Sequence, residues 1–237
     1  MKNGYHFLFA IVFFHSCKSY HYYATPVNAP VFLNGGEVHA NGNVGIAGFT
    51  TMGGASITKN FSVSGLYNGS PGVSSGYHSK QGETAAGFHI PIKKSILSFH
   101  GGFGWGNNYD QDSGDVVKSF YGSFSKPFLI ITYSKVKTIG KRIRAESGMS
   151  LKTNYLIYNG FKNVSDGSNG YVPNKFYSEV FFYEPYVNTS IGGKHVRFDV
   201  GMGFAFKRLV QIDKGARVHP VNMQFGLTFI FGRKYDE

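Results

Sequence analysis

The stretch His195–Phe206, HVRFDVGMGFAF, decides the fold because large apolar residues occur at every second position. One face is apolar and consists of Val196, Phe198, Val200, Met202, Phe204 and Phe206. The other face consists of polar or small residues: His195, Arg197, Asp199, Gly201, Gly203 and Ala205. A period of two is that of a β-strand, because successive side chains point to opposite faces of a sheet. The stretch Val221–Phe231, VNMQFGLTFIF, repeats the pattern. The C-terminal part of the chain therefore predicts two amphipathic strands.

The same alternation recurs along most of the chain and predicts about ten strands. They are expected near 37–47, 51–57, 61–68, 81–91, 96–107, 118–135, 141–158, 176–191, 195–206 and 218–232. An even number of strands is typical of single-chain bacterial barrels. Residues 49–53 are the weak point, because one long strand over 37–57 would change the count. An eight-strand barrel is therefore an alternative.

Composition favours a transmembrane barrel over a water-soluble domain. The chain has 237 residues, of which 32 are glycines. Aromatic residues make up 17% of the chain and charged residues only 16%. About 25% charge is usual for soluble domains. No later segment has the eighteen consecutive apolar residues of a membrane helix. Short and long connections alternate, which predicts an antiparallel up-and-down barrel with periplasmic turns, periplasmic termini and extracellular loops. A soluble β-sandwich is the alternative, because alternation alone fits both.

The N-terminal residues read as a targeting segment. Phe7–Phe14 is an apolar run too short to cross a bilayer, and it follows Lys2. The only cysteine in the chain, Cys17, comes directly after it. We therefore expect a signal peptide over 1–16, fatty acylation (palmitate) of Cys17, a lipidated periplasmic segment over 17–36 and a barrel domain over 37–237. Ordinary secretion with a free thiol is the alternative.

Charge does not predict nucleic-acid binding. The formal net charge is +11, but the basic residues are scattered instead of clustered into one stripe. Strand parity points many charges toward the lumen, where opposite charges must pair because an unpaired buried charge is costly. The expected structural network consists of Arg142, Arg144, Glu146, Glu184, His195, Arg197 and Asp199. The inward-facing positions also include His39, Glu83, His89, His100 and Lys152.

No motif in the sequence points to catalysis. The sequence contains no Gly-x-Ser-x-Gly elbow, no metal-ligand spacing and no nucleotide-binding loop, so no metal site and no cofactor is expected. The alternative is a small barrel enzyme that modifies lipid A or phospholipid, using His89 or His195 with Glu83 or Asp199. A packed polar lumen is the preferred interpretation, because a barrel of this size leaves little room beyond its own side chains.

Two segments carry a resemblance to a known family. Tyr23–Val38 reads YATPVNAPVFLNGGEV, with a Pro-x-Asn-x-Pro segment and a Gly-Glu strand start, and Gly54–Gly65 reads GASITKNFSVSG. These segments resemble Bacteroidota-type outer-membrane β-barrel lipoproteins, although Ser56 and Ser62 depart from the family's aromatic residue and glycine. The resemblance covers the first third of the chain. It implies an outer-membrane location and a barrel fold, and it implies no reaction.

The expected function is that of an outer-membrane lipoprotein with a structural or accessory role. Membrane lipids, lipopolysaccharide and another outer-membrane protein complex are the expected partners. A soluble periplasmic β-sandwich lipoprotein is a third possibility, after the barrel and the lipid-modifying enzyme.

Overall fold

The computed structural model of the chain describes residues 22–27, 30–71, 78–111, 119–139, 143–165, 171–207 and 218–232. Every long element in these ranges is a β-strand. The ten main strands are β1 Val38–Gly45, β2 Gly48–Ser56, β3 Phe61–Pro71, β4 His78–Ile92, β5 Ser95–Gln111, β6 Ser119–Ile139, β7 Ile143–Ser165, β8 Tyr171–Gly192, β9 Val196–Phe204 and β10 Val221–Phe231. Short strands follow β9 at Phe206–Lys207 and precede β10 at Val218–His219. The predicted signal peptide, Cys17 and Arg142 lie outside the described residues.

The strands close into a barrel. Each pairs with the next in antiparallel fashion, and β10 returns to β1 with Phe231 opposite Val38 and Gln224 opposite Gly45. Each of the ten main strands thus has a neighbour on both sides, and none of these described strands is a free edge. The prediction of an all-β, ten-strand antiparallel barrel is confirmed. The eight-strand and β-sandwich alternatives are wrong, because a single sheet of ten strands closes on itself.

The region that made the strand count doubtful is a tight hairpin. β1 ends at Gly45 and β2 begins at Gly48, with only Ile46 and Ala47 between them. Gly48 has a φ of 97°, a conformation that favours glycine. A Cβ atom on Gly45 would lie 2.1 Å from the carbonyl oxygen of Met223 on the neighbouring strand. The two glycines therefore permit the turn that separates 37–57 into two strands.

The two faces of the barrel wall differ in chemistry. Large apolar side chains point outward and remain exposed, as Leu129 (63%) and Met149 (67%) show. Polar side chains point inward and are buried, including Asn68, Lys126 and Lys152, each 0% exposed. This distribution is the reverse of that in a water-soluble domain, whose charged groups are rarely buried. The barrel thus has an apolar outer surface around a polar lumen.

The described part of the N-terminal segment, residues 22–27 and 30–36, lies within the barrel, and we call it the plug. Its residues Tyr22, Ala24, Thr25, Val27, Val31 and Phe32 are all buried. Tyr22–Tyr23 pairs in parallel with Val218–His219, just before β10, at the end of the barrel that we call the loop end. The plug reaches Glu37, directly before β1, at the opposite end, which we call the turn end.

The wall is much taller on one side. β6, β7 and β8 contain 21, 23 and 22 residues, whereas β1 and β2 contain 8 and 9. The predicted strand 141–158 ended too early and the predicted strand 176–191 began too late, since backbone pairing between β7 and β8 continues to Ser165 opposite Tyr171. Polar residues past Tyr158 interrupt the alternation there but leave the ladder intact. No helix in the described part of the chain is long and apolar enough to span a bilayer.

Candidate functional site

The centre of the lumen holds a buried group of four charges. Lys126 Nζ lies 2.5 Å from Glu83 Oε1, and Lys152 Nζ lies 2.8 Å from both oxygens of the same carboxylate. Glu184 completes the group, with Oε2 3.8 Å from Lys152 Nζ. All four side chains are at most 4% exposed. Two positive and two negative charges therefore balance in a site that excludes water, as buried ions require.

Strand register explains how these residues meet. Lys152 on β7 is directly opposite Glu184 on β8. Glu83 on β4 and Lys126 on β6 are both opposite Gly104 on β5, so the three residues form one row across the sheet. A Cβ atom on Gly104 would lie 2.7 Å from Lys126 Cε and 3.2 Å from Glu83 Cγ. The glycine leaves the gap across which the lysine reaches the carboxylate.

The charged group also anchors the plug. Thr25 Oγ1 donates a hydrogen bond to Glu83 Oε1 at 2.5 Å. The same hydroxyl accepts from Lys152 Nζ at 3.0 Å and from Lys126 Nζ at 3.3 Å. Lys126 Nζ also donates to the hydroxyl of Tyr22. One threonine and one tyrosine of the plug thus take part in the ion-pair network of the wall.

Aromatic packing closes the lumen on the loop side of this group. The ring of Tyr22 lies 5.4 Å from that of Phe124 and 5.3 Å from that of Phe182, between centroids. Leu156, Tyr158 and Val180 belong to the same buried cluster. Two backbone carbonyls of the plug are held as well, Tyr23 O by Gln81 Nε2 at 3.2 Å and Ala24 O by Asn222 Nδ2 at 2.9 Å. These contacts fix the plug against opposite walls.

At the turn end, Glu37 fixes the other end of the plug. Its carboxylate Oε1 accepts from the backbone N–H of Leu33 at 3.1 Å and of Asn34 at 2.7 Å. Its Oε2 lies 3.3 Å from His39 Nε2. Ser56 Oγ donates to the carbonyl oxygen of Asn34 at 2.6 Å. Glu37 is fully buried, so the chain makes its turn from plug to β1 around one solvent-excluded carboxylate.

A second charged group lines the wall formed by β7, β9 and β10. Arg197 pairs with Glu146, and both side chains are buried. Asp199 Oδ2 accepts hydrogen bonds from Asn41 Nδ2 at 2.8 Å and Thr228 Oγ1 at 2.5 Å. A cavity of about 80 Å³ separates these residues from the plug. The space is polar and large enough for a few water molecules.

The histidines proposed for the alternative enzyme are not joined to carboxylates. Ser62 Oγ lies 2.6 Å from His89 Nε2, and His89 Nδ1 lies 2.8 Å from Ser98 Oγ. The third partner is therefore a serine, whereas a triad requires a group that orients the histidine and stabilises its positive charge. Ser62 is fully buried, and Phe32 of the plug packs on the His89 ring at 5.6 Å. The arrangement satisfies buried polar groups behind the plug.

The predicted network is partly assembled. Glu146, Glu184 and Arg197 are buried in the lumen, Asp199 is partly buried, and Arg144 is partly buried at the turn end. His195 does not join them: it lies exposed in the turn before β9, with Nδ1 3.2 Å from the carbonyl oxygen of Ile230. By alternation His195 was predicted to face the lumen. The strand, however, begins at Val196, so His195 belongs to the turn.

Lys126 and the plug residues were missed by sequence reasoning. Lys126 shares its face with Phe124, Phe128 and Ile130, so an inward lysine there resembles an isolated charge on an apolar face. Neighbouring Gly104 was the available signal, because an alternating strand with a glycine on its inner face leaves room for a long side chain. Among the described residues, no group of three or more His, Cys, Asp or Glu side chains is arranged to hold a metal ion.

Comparison of the chain with protein-family models found no match, and comparison with curated proteins found none either.

Proposed function

We propose that this chain is a bacterial outer-membrane β-barrel lipoprotein with a structural or accessory role and no catalytic activity. The observation that carries the proposal is the reversed distribution of polarity. Apolar side chains cover the outside of a closed barrel, while ion pairs and hydrogen-bonded polar groups fill the inside. A bilayer requires this arrangement, since every backbone group must be paired and the outer surface must face hydrocarbon.

The filled lumen argues against transport as the role of the barrel. Thr25 and Tyr22 of the plug bind the central charged group, and aromatic rings close the loop side. The cavity beside the plug has a volume of only about 80 Å³. The parts of such a barrel that can bind partners are its outer surface, its loops and its acyl anchor. Lipids, lipopolysaccharide and other outer-membrane proteins are the partners that we propose.

The acyl anchor is the second part of the proposal. It rests on Cys17 following the apolar run Phe7–Phe14, and on the resemblance to Bacteroidota-type outer-membrane lipoproteins. On the orientation usual for such barrels, the short turns face the periplasm and the long loops face outward. Phe231 then ends the last strand on the periplasmic side, whereas Tyr22, the first described residue, lies in the loop-side half of the lumen.

Trp105 provides a direct test because it is the only tryptophan and its side chain points outward, 49% exposed. We expect phospholipids brominated on their acyl chains to quench its fluorescence strongly in reconstituted vesicles, while aqueous iodide quenches it weakly. The same protein in a planar bilayer is expected to show no steady conductance. Quenching by iodide alone would refute membrane insertion, and a large stable channel would refute the closed lumen.

A further inference from the structure

The turn end of the barrel is surrounded by positive charge. Six described and exposed basic residues lie in the short turns or at the adjoining strand ends: Lys59, Lys93, Lys94, Lys135, Lys137 and Lys194. The described acidic side chains in this half, Glu37, Glu146 and Asp199, point into the lumen. We call the six residues the basic girdle; no described acidic side chain interrupts it on the outside.

The girdle lies at the turn-end border of the apolar outer surface. On β6, Lys135 and Lys137 continue the outward row of Ile131 and Tyr133, with exposed Ile139 beyond them, and Lys135 Nζ lies 5.7 Å from the centroid of the Tyr133 ring. Ile92, exposed on β4, is followed directly by Lys93. Aromatic rings and lysines next to an apolar band are typical of the level of lipid headgroups. This position suits amines that contact lipid phosphate groups.

Lys93 has a backbone conformation that is unusual for a lysine. It has a φ of 54° in the two-residue turn between β4 and β5. Glycine, asparagine and aspartate are the residues usually found at such positions, because other side chains are strained there. A strained residue that persists is a reason to look for a function of its side chain.

The Lys93 side chain lines a cavity at the turn end of the barrel. The cavity has a volume of about 190 Å³, and its lining combines three lysines (Lys59, Lys93, Lys94), five apolar residues (Phe32, Leu33, Pro91, Ile96, Val136) and the polar residues His89 and Ser95. Three amines beside a mainly apolar lining suit an amphiphilic anion better than a neutral ligand. A phospholipid, which carries a phosphate group next to its acyl chains, has this chemistry.

We propose that the basic girdle binds the phosphate groups of anionic phospholipids in the leaflet that faces the turns. This inference rests on the proposed membrane location. Each lysine close to an anionic bilayer surface strengthens binding by about fivefold at moderate ionic strength.

The test measures which lipids stay with the purified barrel. The wild type is exchanged into mixed detergent micelles with equal phosphatidylethanolamine and phosphatidylglycerol, and retained lipids are counted by native mass spectrometry. One variant neutralises the amines around the cavity: Lys59→Gln, Lys93→Gln and Lys94→Gln. The matched control removes the same number of charges at the loop end: Lys80→Gln, Lys175→Gln and Lys207→Gln.

We expect the wild type and the loop-end control to retain phosphatidylglycerol preferentially, and the turn-end variant to lose this preference by about fivefold or more. Equal losses in both variants would overturn the proposal, because net charge alone would then explain binding. A wild type without preference would also overturn it. Quenching of Trp105 by brominated phospholipids, measured for the same proteins reconstituted into vesicles, reports insertion separately, so a girdle that fails in an inserted barrel refutes this inference and leaves the proposed location intact.

The variant Lys93→Gly distinguishes an effect of the lysine charge on lipid binding from an effect on folding. Glycine adopts the positive φ without strain, so the variant is expected to resist heat at least as well as the wild type while it retains less phosphatidylglycerol. A Lys93→Gly barrel that is equally stable and keeps the full lipid preference would show that the strained lysine has no part in binding.

Discussion

Neutralising Glu83 is expected to destabilise the barrel because it removes the balance of the buried central charges. The carboxylate accepts hydrogen bonds from Lys152 at 2.8 Å on both oxygens, pairs with Lys126 at 2.5 Å and accepts from Thr25 at 2.5 Å. In Glu83→Gln the side chain keeps its shape and loses its charge. Glu184, 3.8 Å from Lys152, is then left to balance two buried ammonium groups.

The expected cost follows from that imbalance. Neutralising one partner of a buried ion pair lowers the free energy of unfolding by about 3–5 kcal/mol, mainly because the other charge stays buried without compensation. Since the glutamine oxygen still accepts one hydrogen bond, we expect a value near the lower end, about 3 kcal/mol. Glu179→Gln is the matched control: Glu179 lies on the outer face, where Tyr155 and Tyr177 donate to it, and solvent compensates for a lost charge.

Urea titration of the reconstituted barrel, followed by Trp105 fluorescence and by the heat-modifiable band on gels, measures the effect. A Glu83→Gln barrel within about 1 kcal/mol of the wild type would refute the reasoning. The double variant Glu83→Gln, Lys126→Met supplies a second check, because it leaves one lysine with one carboxylate. It is expected to recover part of the loss, since balanced charge, and not packing around residue 83, sets the cost.

Four further changes test other parts of the structure. Thr25→Val removes the hydroxyl that joins the plug to the central charges, and brief channel openings in planar bilayers are expected where the wild type shows none. Glu146→Ala leaves Arg197 buried without this carboxylate and is expected to lower the free energy of unfolding by about 3–5 kcal/mol in urea titrations. A heat-modifiable gel band that disappears at the same temperature as that of the wild type would contradict this. Val200→Arg places a charge on the outer face and is expected to cost about 2–4 kcal/mol if the residue lies at mid-bilayer; normal insertion yield would argue against lipid contact. Cys17→Ala is expected to abolish metabolic labelling with a clickable fatty acid, and a surviving label would remove the lipoprotein proposal.

The sequence by itself determined the strands and the side to which each residue points. The period of two in His195–Phe206 and Val221–Phe231 needs no knowledge of neighbours, because it comes from the geometry of a single strand. In β9 and β10 the residues of the predicted outward rows are exposed, except Val221, which is partly buried, and Arg197 is buried as its parity requires. Ten strands of this kind, with few charges, were sufficient to predict the barrel.

Only the tertiary structure decided which inward residues meet. Register places Glu83 and Lys126 on either side of Gly104, and a shift of one residue would turn a side chain to the opposite face. Such pairing depends on closure of all ten strands, and no local pattern contains it.

The path of the N-terminal segment was likewise undecided until the barrel closed. Tyr22–Phe32 has no alternation and no charged residue, so by itself it is compatible with a linker. It enters the lumen because the inward lysines and carboxylates leave space and hydrogen-bonding groups that water would otherwise fill. Thr25 and Tyr22 satisfy those groups, and burial of Phe32 removes apolar surface from water. The polar lumen therefore determines where the plug lies, and that lumen exists only in the closed barrel.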